Sequence, residues 1–252
     1  MRIRLVLYNK VANAGIPINY NHFLAAAIYR ILRERSLGTP TLPTKMAGQE
    51  TRRRFKMFTF SHLKFESYRI EQERISFDEG HIHWYISSPV NSFLIEIAQR
   101  AAKLNTLLLA GARFEIDKVE ILKEVNFSRE MNFAAISPIT VTANPNNPNP
   151  HYIRHTELGF AEAVRDNLIK KHMIIYNTNP KDDTLSFTFD QEYVRKRAGK
   201  IQKKINFLSM EIIGFIAPFK VKGSPELIKL GYDAGFGEKG NMGFGMVKEI
   251  KK

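Results

Sequence analysis

The sequence predicts an α+β fold of two tandem ferredoxin-like (RRM-like) domains, each an antiparallel sheet with helices on one face. The chain has 252 residues, which suits two domains of about 120 residues each. Apolar residues alternate at period two in some segments and recur at helical spacing in others, in the order β-α-β-β-α-β. That order recurs in the second half. We therefore expect an N-terminal domain over residues 1–124 and a C-terminal domain with a glycine-rich loop over residues 130–252.

The first half supplies the elements of one such domain. MRIRLVLY (1–8) alternates as a strand, and the apolar spacing in residues 16–35 predicts a helix with Asn19 or Asn21 as its N-cap. NSFLIEIAQRAAKL (91–104) predicts an amphipathic second helix. The other predicted strands are RFKMFTFSHL (54–63), SYRIEQERISF (67–77), HIHWYISS (81–88) and ARFEIDKVEIL (112–122).

The second half repeats the pattern less regularly. Residues 157–175 predict a helix, and SPELIKLGYDAG (224–235) predicts another, with Ser224 as N-cap and Pro225 at the first helical position. The apolar side of the first of these helices is Leu158, Ala161, Val164, Leu168 and Ile169. The predicted strands are NFAAISPITVT (132–142), TLSFTF (184–189), one long strand INFLSMEIIGFIAPFKVKG (205–223) and GFGMVKEI (243–250).

The composition excludes some classes of site and favours a polyanionic partner. The chain has no cysteine, so disulfides, thiolate nucleophiles and cysteine zinc sites are excluded. No stretch is apolar enough for a signal peptide or a membrane span, and we expect a cytoplasmic protein without a membrane partner. A net charge of +13 with 38 Lys and Arg favours nucleic acid, since cations that neutralise phosphates release bound counterions.

Two clusters hold much of this positive charge. TRRRFK (51–56) contains Arg52, Arg53 and Arg54. The longer tract YVRKRAGKIQKK (193–204) contains Arg195, Lys196, Arg197, Lys200, Lys203 and Lys204. The tract is either a solvated hairpin or a basic arm that follows an RNA backbone, and we favour the arm. Such cations position the RNA, whereas base and stacking contacts supply sequence preference.

The end of the chain, GYDAGFGEKGNMGFGMVKEIKK (231–252), is rich in glycine. It matches G-x-G-x-x-G, but a dinucleotide site needs a strand before the motif and a helix after it. Two interpretations remain: a flexible loop, or backbone N–H groups that approach an anionic backbone where any Cβ would collide. We favour the second interpretation. The residues expected to contact RNA here are Gly235, Gly237, Lys239, Gly240, Gly243 and Gly245.

These segments together carry a resemblance. GYDAGFGEKGNMGFGMV resembles the glycine-rich C-terminal signature of the CRISPR-associated RAMP superfamily. It is most similar to the sixth CRISPR-associated protein family, endoribonucleases that cut precursor CRISPR RNA within its repeats. PINYNHFLAAAIYRIL, FKMFTFSHL and NFAAISPITVT agree with this family in the same order. The resemblance therefore spans the whole chain.

The resemblance implies a function and partners. Members bind one repeat of the precursor and cleave it without metal, by attack of a 2′-hydroxyl that leaves a 2′,3′-cyclic phosphate and a 5′-hydroxyl. We therefore expect no metal and no cofactor, and CRISPR repeat RNA as the partner. Subunits of a CRISPR effector complex and a second copy of the chain are further expected partners. A structural subunit of a CRISPR ribonucleoprotein complex is the alternative class.

The resemblance also implies catalytic residues. Tyr29 matches the family tyrosine on the first helix, and Lys56 matches the lysine that opens the next strand. The family histidine is expected within Thr44–Gly48, where this chain has Lys45 instead. Three interpretations follow: Lys45 substitutes, His22 serves from two helical turns before Tyr29, or the protein binds repeat RNA without cutting it efficiently.

Overall fold

The structure, a computed structural model, describes residues 1–33, 57–144, 147 and 150–250. The residues Lys45, Arg52, Arg53, Arg54 and Lys56, for which the sequence predicts functional roles, lie outside this part of the chain. The helices of the first half are α1 (Asn21–Arg33) and α2 (Asn91–Ala101). Its strands are β1 (Arg2–Asn9), β2 (Ala14–Pro17), β3 (Thr59–Phe60), β4 (Lys64–Phe65), β5 (Arg69–Glu71), β6 (Arg74–Phe77), β7 (Gly80–Ser87), β8 (Thr106–Leu109) and β9 (Ala112–Ile121).

Strand β1 is the centre of the first sheet. It pairs antiparallel with β7 on one side and with β9 on the other, and the sheet runs β3-β7-β1-β9-β8. Each helical connection, β1-α1-β3 and β7-α2-β9, therefore skips one strand, which is the split βαβ arrangement. Ile3, Leu5 and Leu7 alternate along β1 and lie in one core with residues of both helices. This half thus has the predicted ferredoxin-like arrangement.

Two details of the first half differ from the sequence predictions. The segment 67–77 does form strands, but in a separate three-stranded sheet, where β6 pairs with β2 on one side and with β5 on the other. All of β5 is exposed, so it has no apolar face to pack onto the main core. The N-cap of α1 is Tyr20, because the helix begins at Asn21. The Asn19 side chain instead accepts a hydrogen bond from the backbone N–H of Asn206, at 3.0 Å.

The second half repeats the same arrangement. Its helices are α3 (Gly159–Tyr176), α4 (Gln191–Lys196) and α5 (Pro225–Ala234), followed by a short 3-10 helix, Gly240–Met242. Its strands are β10 (Glu130–Ala135), β11 (Leu185–Phe189), β12 (Gln202–Phe207), β13 (Met210–Phe215), β14 (Pro218–Gly223) and β15 (Val247–Glu249). The sheet order β11-β14-β10-β15 again makes each helical connection skip one strand. The predicted fold class is confirmed.

The single long strand predicted over residues 205–223 is wrong. β12 and β13 form an antiparallel hairpin in which Phe207 is paired with Met210. The two-residue turn between them has Leu208 at a φ of 56°, the left-handed conformation that tight hairpins require. β14 then starts separately at Pro218, which suits the first position of a strand because proline has no N–H for the ladder.

The helices of the second half differ in how well the sequence predicts them. α5 begins as predicted, with the Ser224 hydroxyl accepting from the backbone N–H of Leu227 at 3.4 Å. The buried side of α3 is Phe160, Val164, Leu168, Lys171 and His172. Leu158 precedes α3 and is 102% exposed, so the predicted apolar face is shifted. A lysine and a histidine occupy part of the buried side instead.

Two hydrophobic cores lie under the two sheets, and one of them draws on both halves of the chain. The second core contains only residues after position 130. The first core is built mainly from β1, α1, β7 and α2, but also contains Ile205, Phe207, Ile212 and Phe244. The β12–β13 hairpin and the end of the glycine-rich segment therefore pack against the first half. The first core therefore includes residues from both sides of the predicted boundary between residues 124 and 130, whereas the second core does not.

Candidate functional site

Tyr29 lies on α1 next to the glycine-rich segment. Its ring meets Phe58 edge-on, with the ring centroids 6.1 Å apart. Half-burial raises the pKa of its phenol above the ordinary value of 10, and a hydrogen bond from the Asn241 side chain opposes this shift. The phenol therefore holds its proton at neutral pH. Asn241 belongs to the 3-10 helix of the glycine-rich segment, so this segment directly contacts the tyrosine.

The glycine-rich segment, residues 235–245, is packed inside the protein. Gly235, Gly237, Gly243 and Gly245 are buried, whereas Lys239 and Gly240 are partly exposed. A Cβ on Gly237 would overlap the carbonyl oxygen of Thr140, and one on Gly245 would overlap that of Phe236. Both glycines also have positive φ, at 81° and 78°, where other residues are strained. Contacts within the protein therefore account for these glycines.

Backbone N–H groups of this segment donate to carbonyl oxygens of the protein. The N–H of Glu238 donates to Thr140 O at 2.7 Å, that of Gly245 to Pro138 O at 2.7 Å, and that of Phe236 to Gly245 O at 2.9 Å. Those groups cannot also hold an RNA phosphate. The part of the segment left accessible is Glu238–Met242, which includes the predicted RNA contacts Lys239 and Gly240.

Carbonyl oxygens of the same segment accept hydrogen bonds from both halves of the chain. From the first half, the Thr59 hydroxyl donates to Phe244 O at 2.8 Å and the Asn21 amide donates to Met242 O at 3.1 Å. From the second half, the Lys171 ammonium donates to Gly235 O at 2.6 Å, Gly237 O at 2.7 Å and Ala234 O at 3.2 Å. The segment therefore joins the two halves.

Among the side chains that donate to the glycine-rich segment, Lys171 is a buried ammonium whose pKa is strongly shifted. It is 7% exposed, and burial lowers its pKa to about 7, while the nearby Glu238 carboxylate acts in the opposite direction. One of its acceptors, Ala234 O, ends α5, where the helix dipole is negative and favours a cation. Sequence reasoning missed Lys171. The available signal was its position seven residues after Val164 and three after Leu168, on the buried side of α3.

His22 lies apart from Tyr29. The His22 ring contacts Phe23, and its centroid is 6.1 Å from that of Phe207 on β12. Burial lowers its pKa, and its Nδ1 atom has no hydrogen-bond partner among the residues that the structure describes. Seven residues of helix place His22 about 10 Å from Tyr29 along the axis of α1. The structure therefore brings Asn241 and Phe58, rather than His22, to the tyrosine.

A second histidine, His62, lies near the basic tract. Its ring centroid is 5.9 Å from that of Tyr20. Burial lowers the pKa of His62 to about 4, and the positive charge of Lys203 adds to this effect. Sequence reasoning did not single out His62. Lys203 of β12 therefore lies close enough for its charge to act on His62 in the first half of the chain.

The basic tract is exposed and spans two elements. Arg195 and Lys196 end α4, whose N-cap Asp190 accepts from the backbone N–H of Tyr193 at 2.9 Å. Lys203 and Lys204 lie on β12. The six cations are all exposed: Arg195, Lys196, Arg197, Lys200, Lys203 and Lys204. Lys196 and Lys204 form ion pairs with Glu192 and Glu211, which are weak at an exposed surface, so the tract remains open to a polyanion.

A cleft of about 640 Å³ opens beside the tyrosine. Its lining includes Phe58 and Asn241, the two residues that contact Tyr29, as well as α3 and the loop after β10. In the described part of the chain, no three His, Asp or Glu side chains group closely enough to hold a metal ion. None of the helices described is long and apolar enough to cross a membrane.

Comparisons with known proteins agree on one family. The family model described as CRISPR-associated protein Cas6, N-terminal, matches residues 15–120, and that described as CRISPR associated protein Cas6, C-terminal, matches residues 122–249. CRISPR-associated endoribonuclease Cas6 1 of Methanocaldococcus jannaschii is 31% identical, covering 100% of this chain and 93% of that protein. CRISPR-associated endoribonuclease Cas6 of Pyrococcus furiosus is 26% identical, covering 98% of this chain and 88% of that protein.

Solved structures agree in fold. A structure described as CRISPR associated protein Cas6 has a TM-score of 0.76 at 29% identity, covering 100% of this chain and 99% of that one. A structure described as an RAMP protein binding different RNA substrates has a TM-score of 0.82 at 24% identity, covering 100% of both chains. The second likeness concerns the fold alone.

The overlap at Gly237 predicts a large loss of stability. Gly237→Ala should lower the free energy of unfolding by at least about 2 kcal/mol more than Gly199→Ala does. Gly199 has a similar φ of 72°, but nothing lies within 4 Å of the position its Cβ would take. Both variants have the backbone strain of a positive φ, but only Gly237→Ala has the collision with Thr140. The difference between their unfolding free energies therefore measures the collision. Urea unfolding of both variants measures the difference, and equal losses would contradict the packing explanation.

Replacing Lys171 should release the glycine-rich segment. Lys171→Met leaves three carbonyl oxygens without their donor, and each buried unpaired acceptor costs about 1–3 kcal/mol. Three such acceptors would cost about 3–9 kcal/mol, and removing the buried ammonium also removes its desolvation cost, so we expect a net loss of about 2–5 kcal/mol in unfolding free energy. Lys170→Met, at the exposed neighbouring position, should change it by less than about 0.5 kcal/mol. Comparable losses in the two variants would show that the buried contacts are unimportant.

Burial of His62 predicts a pH dependence of stability. Its folded pKa of about 4 lies below the ordinary value of 6.5, so the unfolded chain binds more protons between these pH values. Stability should therefore fall as the pH drops from 6.5 to 4, by up to about 3 kcal/mol from this group. Unfolding free energies of the wild type and His62→Gln, measured at several pH values, should differ progressively over that window. Parallel curves would refute the assignment.

Proposed function

The chain belongs to the Cas6 family of CRISPR-associated proteins, and we propose that it binds CRISPR repeat RNA and cleaves precursor CRISPR RNA. The cleavage is metal-independent, by attack of a 2′-hydroxyl on the adjacent phosphate. The names of the relatives from Methanocaldococcus jannaschii and Pyrococcus furiosus, both endoribonucleases, support this proposal. The net charge of +13 is suited to an RNA partner.

The observation that carries the proposal is the position of Tyr29. Its phenol lies where α1, Phe58 and Asn241 meet, beside a cleft that residues of both halves line. Tyr29 does not itself line the cleft, but Phe58 and Asn241, which contact it, do, and its phenol is proposed to exchange a proton with RNA bound there. The match of Tyr29 to the family tyrosine agrees with this position.

The reaction needs an acid and a base. A base takes the proton of the 2′-hydroxyl, and the 2′-oxygen attacks the phosphorus. The bond from phosphorus to the 5′-oxygen breaks, and that oxygen receives a proton from the acid, which gives a 2′,3′-cyclic phosphate and a 5′-hydroxyl. Because the pKa of Tyr29 is raised by burial, its phenol is protonated at neutral pH and is suited to act as the acid.

The base and the charge that stabilises the phosphorane come from other residues. We assign the charge to Lys56, which precedes Met57 at the cleft, and to Lys45, because an ammonium stabilises the pentavalent phosphorane. His22 is the candidate for the base. Because it lies apart from Tyr29, the 2′-hydroxyl of the substrate would have to lie several ångströms from the phenol to give its proton to His22. Lys45 and Lys56 lie outside the described residues, so these roles depend on the sequence match.

Two surfaces are proposed to hold the RNA. The exposed tract from Arg195 to Lys204 follows the backbone through its cations. Lys239 and Gly240 of the glycine-rich segment contact RNA near the cleft. Arg52, Arg53 and Arg54 remain predicted RNA contacts. Packing explains the buried glycines Gly235, Gly237, Gly243 and Gly245, and we propose that they support the RNA surface from beneath.

A second candidate function is repeat-RNA binding with little or no cleavage. The observation that favours it is Lys45, which stands where the family pattern has a histidine. A lysine is a poorer general base than histidine at neutral pH, because its ordinary pKa is about 10.4. Assembly with subunits of a CRISPR effector complex and formation of a homodimer remain predictions for either function.

Cleavage of the host's own repeat RNA tests the proposal. With 5′-end-labelled RNA, excess protein and EDTA, we expect a single cut whose 5′ fragment ends in a 2′,3′-cyclic phosphate. Tyr29→Phe should slow this step by about 100- to 10,000-fold, the range for a lost general acid. Tyr68→Phe, at a tyrosine that is 56% exposed, is the matched control and should cleave like the wild type.

The outcomes separate the two candidate functions. Tight, salt-sensitive binding without a cut over hours would support the binding protein and exclude the nuclease. A cut that requires Mg²⁺ would contradict the metal-independent mechanism. If Tyr29→Phe cleaves at the wild-type rate, the phenol is not the acid, and His22→Ala then shows whether the histidine takes part.

A further inference from the structure

The cleft beside Tyr29 has a composition that the cleavage reaction does not explain. Its apolar lining includes Met57, Phe58 and Ile153, which lie at the start of β3 and in the loop after β10. Its volume of about 640 Å³ falls in the range of small-molecule sites. Met57 is partly exposed on this wall, whereas Phe58 is 1% exposed and Ile153 is 8% exposed, so the wall offers a base apolar contact at its edge.

The polar lining of the cleft is rich in acceptors. Glu162 and Asp166 lie one turn apart on α3, and both line the cleft. Arg165 donates two hydrogen bonds to Asp166, at 3.0 and 3.2 Å, and both end on Oδ1. Glu162 is exposed. These carboxylates differ from Glu238, whose two oxygens both accept from the Thr142 hydroxyl at 3.0 Å.

The side-chain amide of Asn167 also lines the cleft, next to the carboxylates of α3. Asn167 follows Asp166, and its Oδ1 atom is buried with no hydrogen-bond partner among the described residues. Rotation of the amide exchanges this oxygen with the amino group, so Asn167 can present a donor or an acceptor. A buried amide oxygen without a partner is uncommon in proteins, which is consistent with a group that a ligand completes.

Carboxylates repel phosphate, so this wall is suited to another part of a nucleotide. Amino groups of adenine, cytosine and guanine donate hydrogen bonds, whereas uracil has no amino group. Lys170 and Lys239 line the same cleft and provide positive charge for the phosphate. Lys171 is already bound to three carbonyl oxygens.

We infer that this cleft binds an unpaired nucleotide next to the scissile phosphate and reads the amino group of its base through Glu162 and Asp166. The inference rests on the proposed cleavage function, because Phe58 and Asn241 line the cleft and contact Tyr29. A nucleotide seated there has its backbone beside the phenol. The α3 carboxylates then determine which base is accepted at the cleavage site.

Removal of single amino groups tests this inference. The repeat RNA carries a 2′-deoxynucleotide at the cleavage site, so it lacks the attacking hydroxyl and cannot be cleaved. Each of the two bases that flank the scissile phosphate is replaced in turn by an analogue without the amino group. The affinity of the protein for each RNA is then measured. The analogues are purine riboside for adenosine, inosine for guanosine and zebularine for cytidine; a flanking uridine is instead changed to cytidine. One flanking position should favour the amino group by about 5- to 100-fold in the wild type.

The protein variants assign this preference to the cleft. In the double variant Glu162→Gln and Asp166→Asn, the ratio of affinities with and without the amino group should fall to within about two-fold. The double variant Glu73→Gln and Asp183→Asn removes two exposed carboxylates that do not line the cleft. It should tighten binding of every RNA equally and keep the wild-type ratio, which controls for the change in net charge.

Three outcomes would overturn the inference. If the affinity is unchanged when the amino group is removed at either flanking position, the protein does not read that group. The proposed cleavage would still stand if the unmodified RNA is cut. A preference that persists in the double variant would place the reading elsewhere. A protein that neither binds nor cuts repeat RNA would remove both the inference and the proposed function.

Discussion

The packing of the glycine-rich backbone between the two halves of the chain is the constraint on which the site depends. No Cβ fits at Gly237 or Gly245, because carbonyl oxygens of the protein occupy that space. The carbonyl oxygens of the segment are held by Thr59 and Asn21 from one half and by Lys171 from the other. This places Asn241 against Tyr29 and forms one wall of the cleft. The sequence of the segment predicts a loop that approaches phosphate. In the structure most of its glycines are buried, and the segment connects the two halves of the chain.

In the part of the chain that the structure describes, the basic tract and the cleft beside Tyr29 are different surfaces. The exposed cations of the basic tract lie on α4 and β12, where they can attract RNA over a long range and follow its backbone. The cleft beside Tyr29 combines Lys170 and Lys239 with carboxylates and apolar side chains, so it can contact a base as well as a phosphate. We therefore assign affinity and positioning to the basic tract and base selection to the cleft, as expected where phosphate contacts position the RNA and base contacts select its sequence.

Periodicity in the sequence predicted most of the fold. β1, α2 and α5 lie where alternation, helical spacing and the Ser224–Pro225 start predicted them. The β12–β13 hairpin was missed because its turn contains Leu208, not the Gly or Asn that usually indicates such a turn. Lys171 was missed because its acceptors lie more than 60 residues away. The sequence indicated that these positions require glycine. It does not show whether the group that excludes a Cβ is a phosphate of the RNA or a carbonyl of the protein, such as that of Thr140.

We infer that the hairpin inserted in the second half helps to hold the walls of the cleft in place before RNA binds. In each half, a hairpin lies between the second and third strands of the ferredoxin-like unit: β5–β6 in the first and β12–β13 in the second. The second hairpin carries Ile205, Phe207 and Ile212 into the core of the first half. Together with Phe244 of the glycine-rich segment, this makes two apolar attachments between the halves. Two separate attachments oppose hinge motion, so the walls of the cleft are held in place and RNA binding need not supply the free energy to order them.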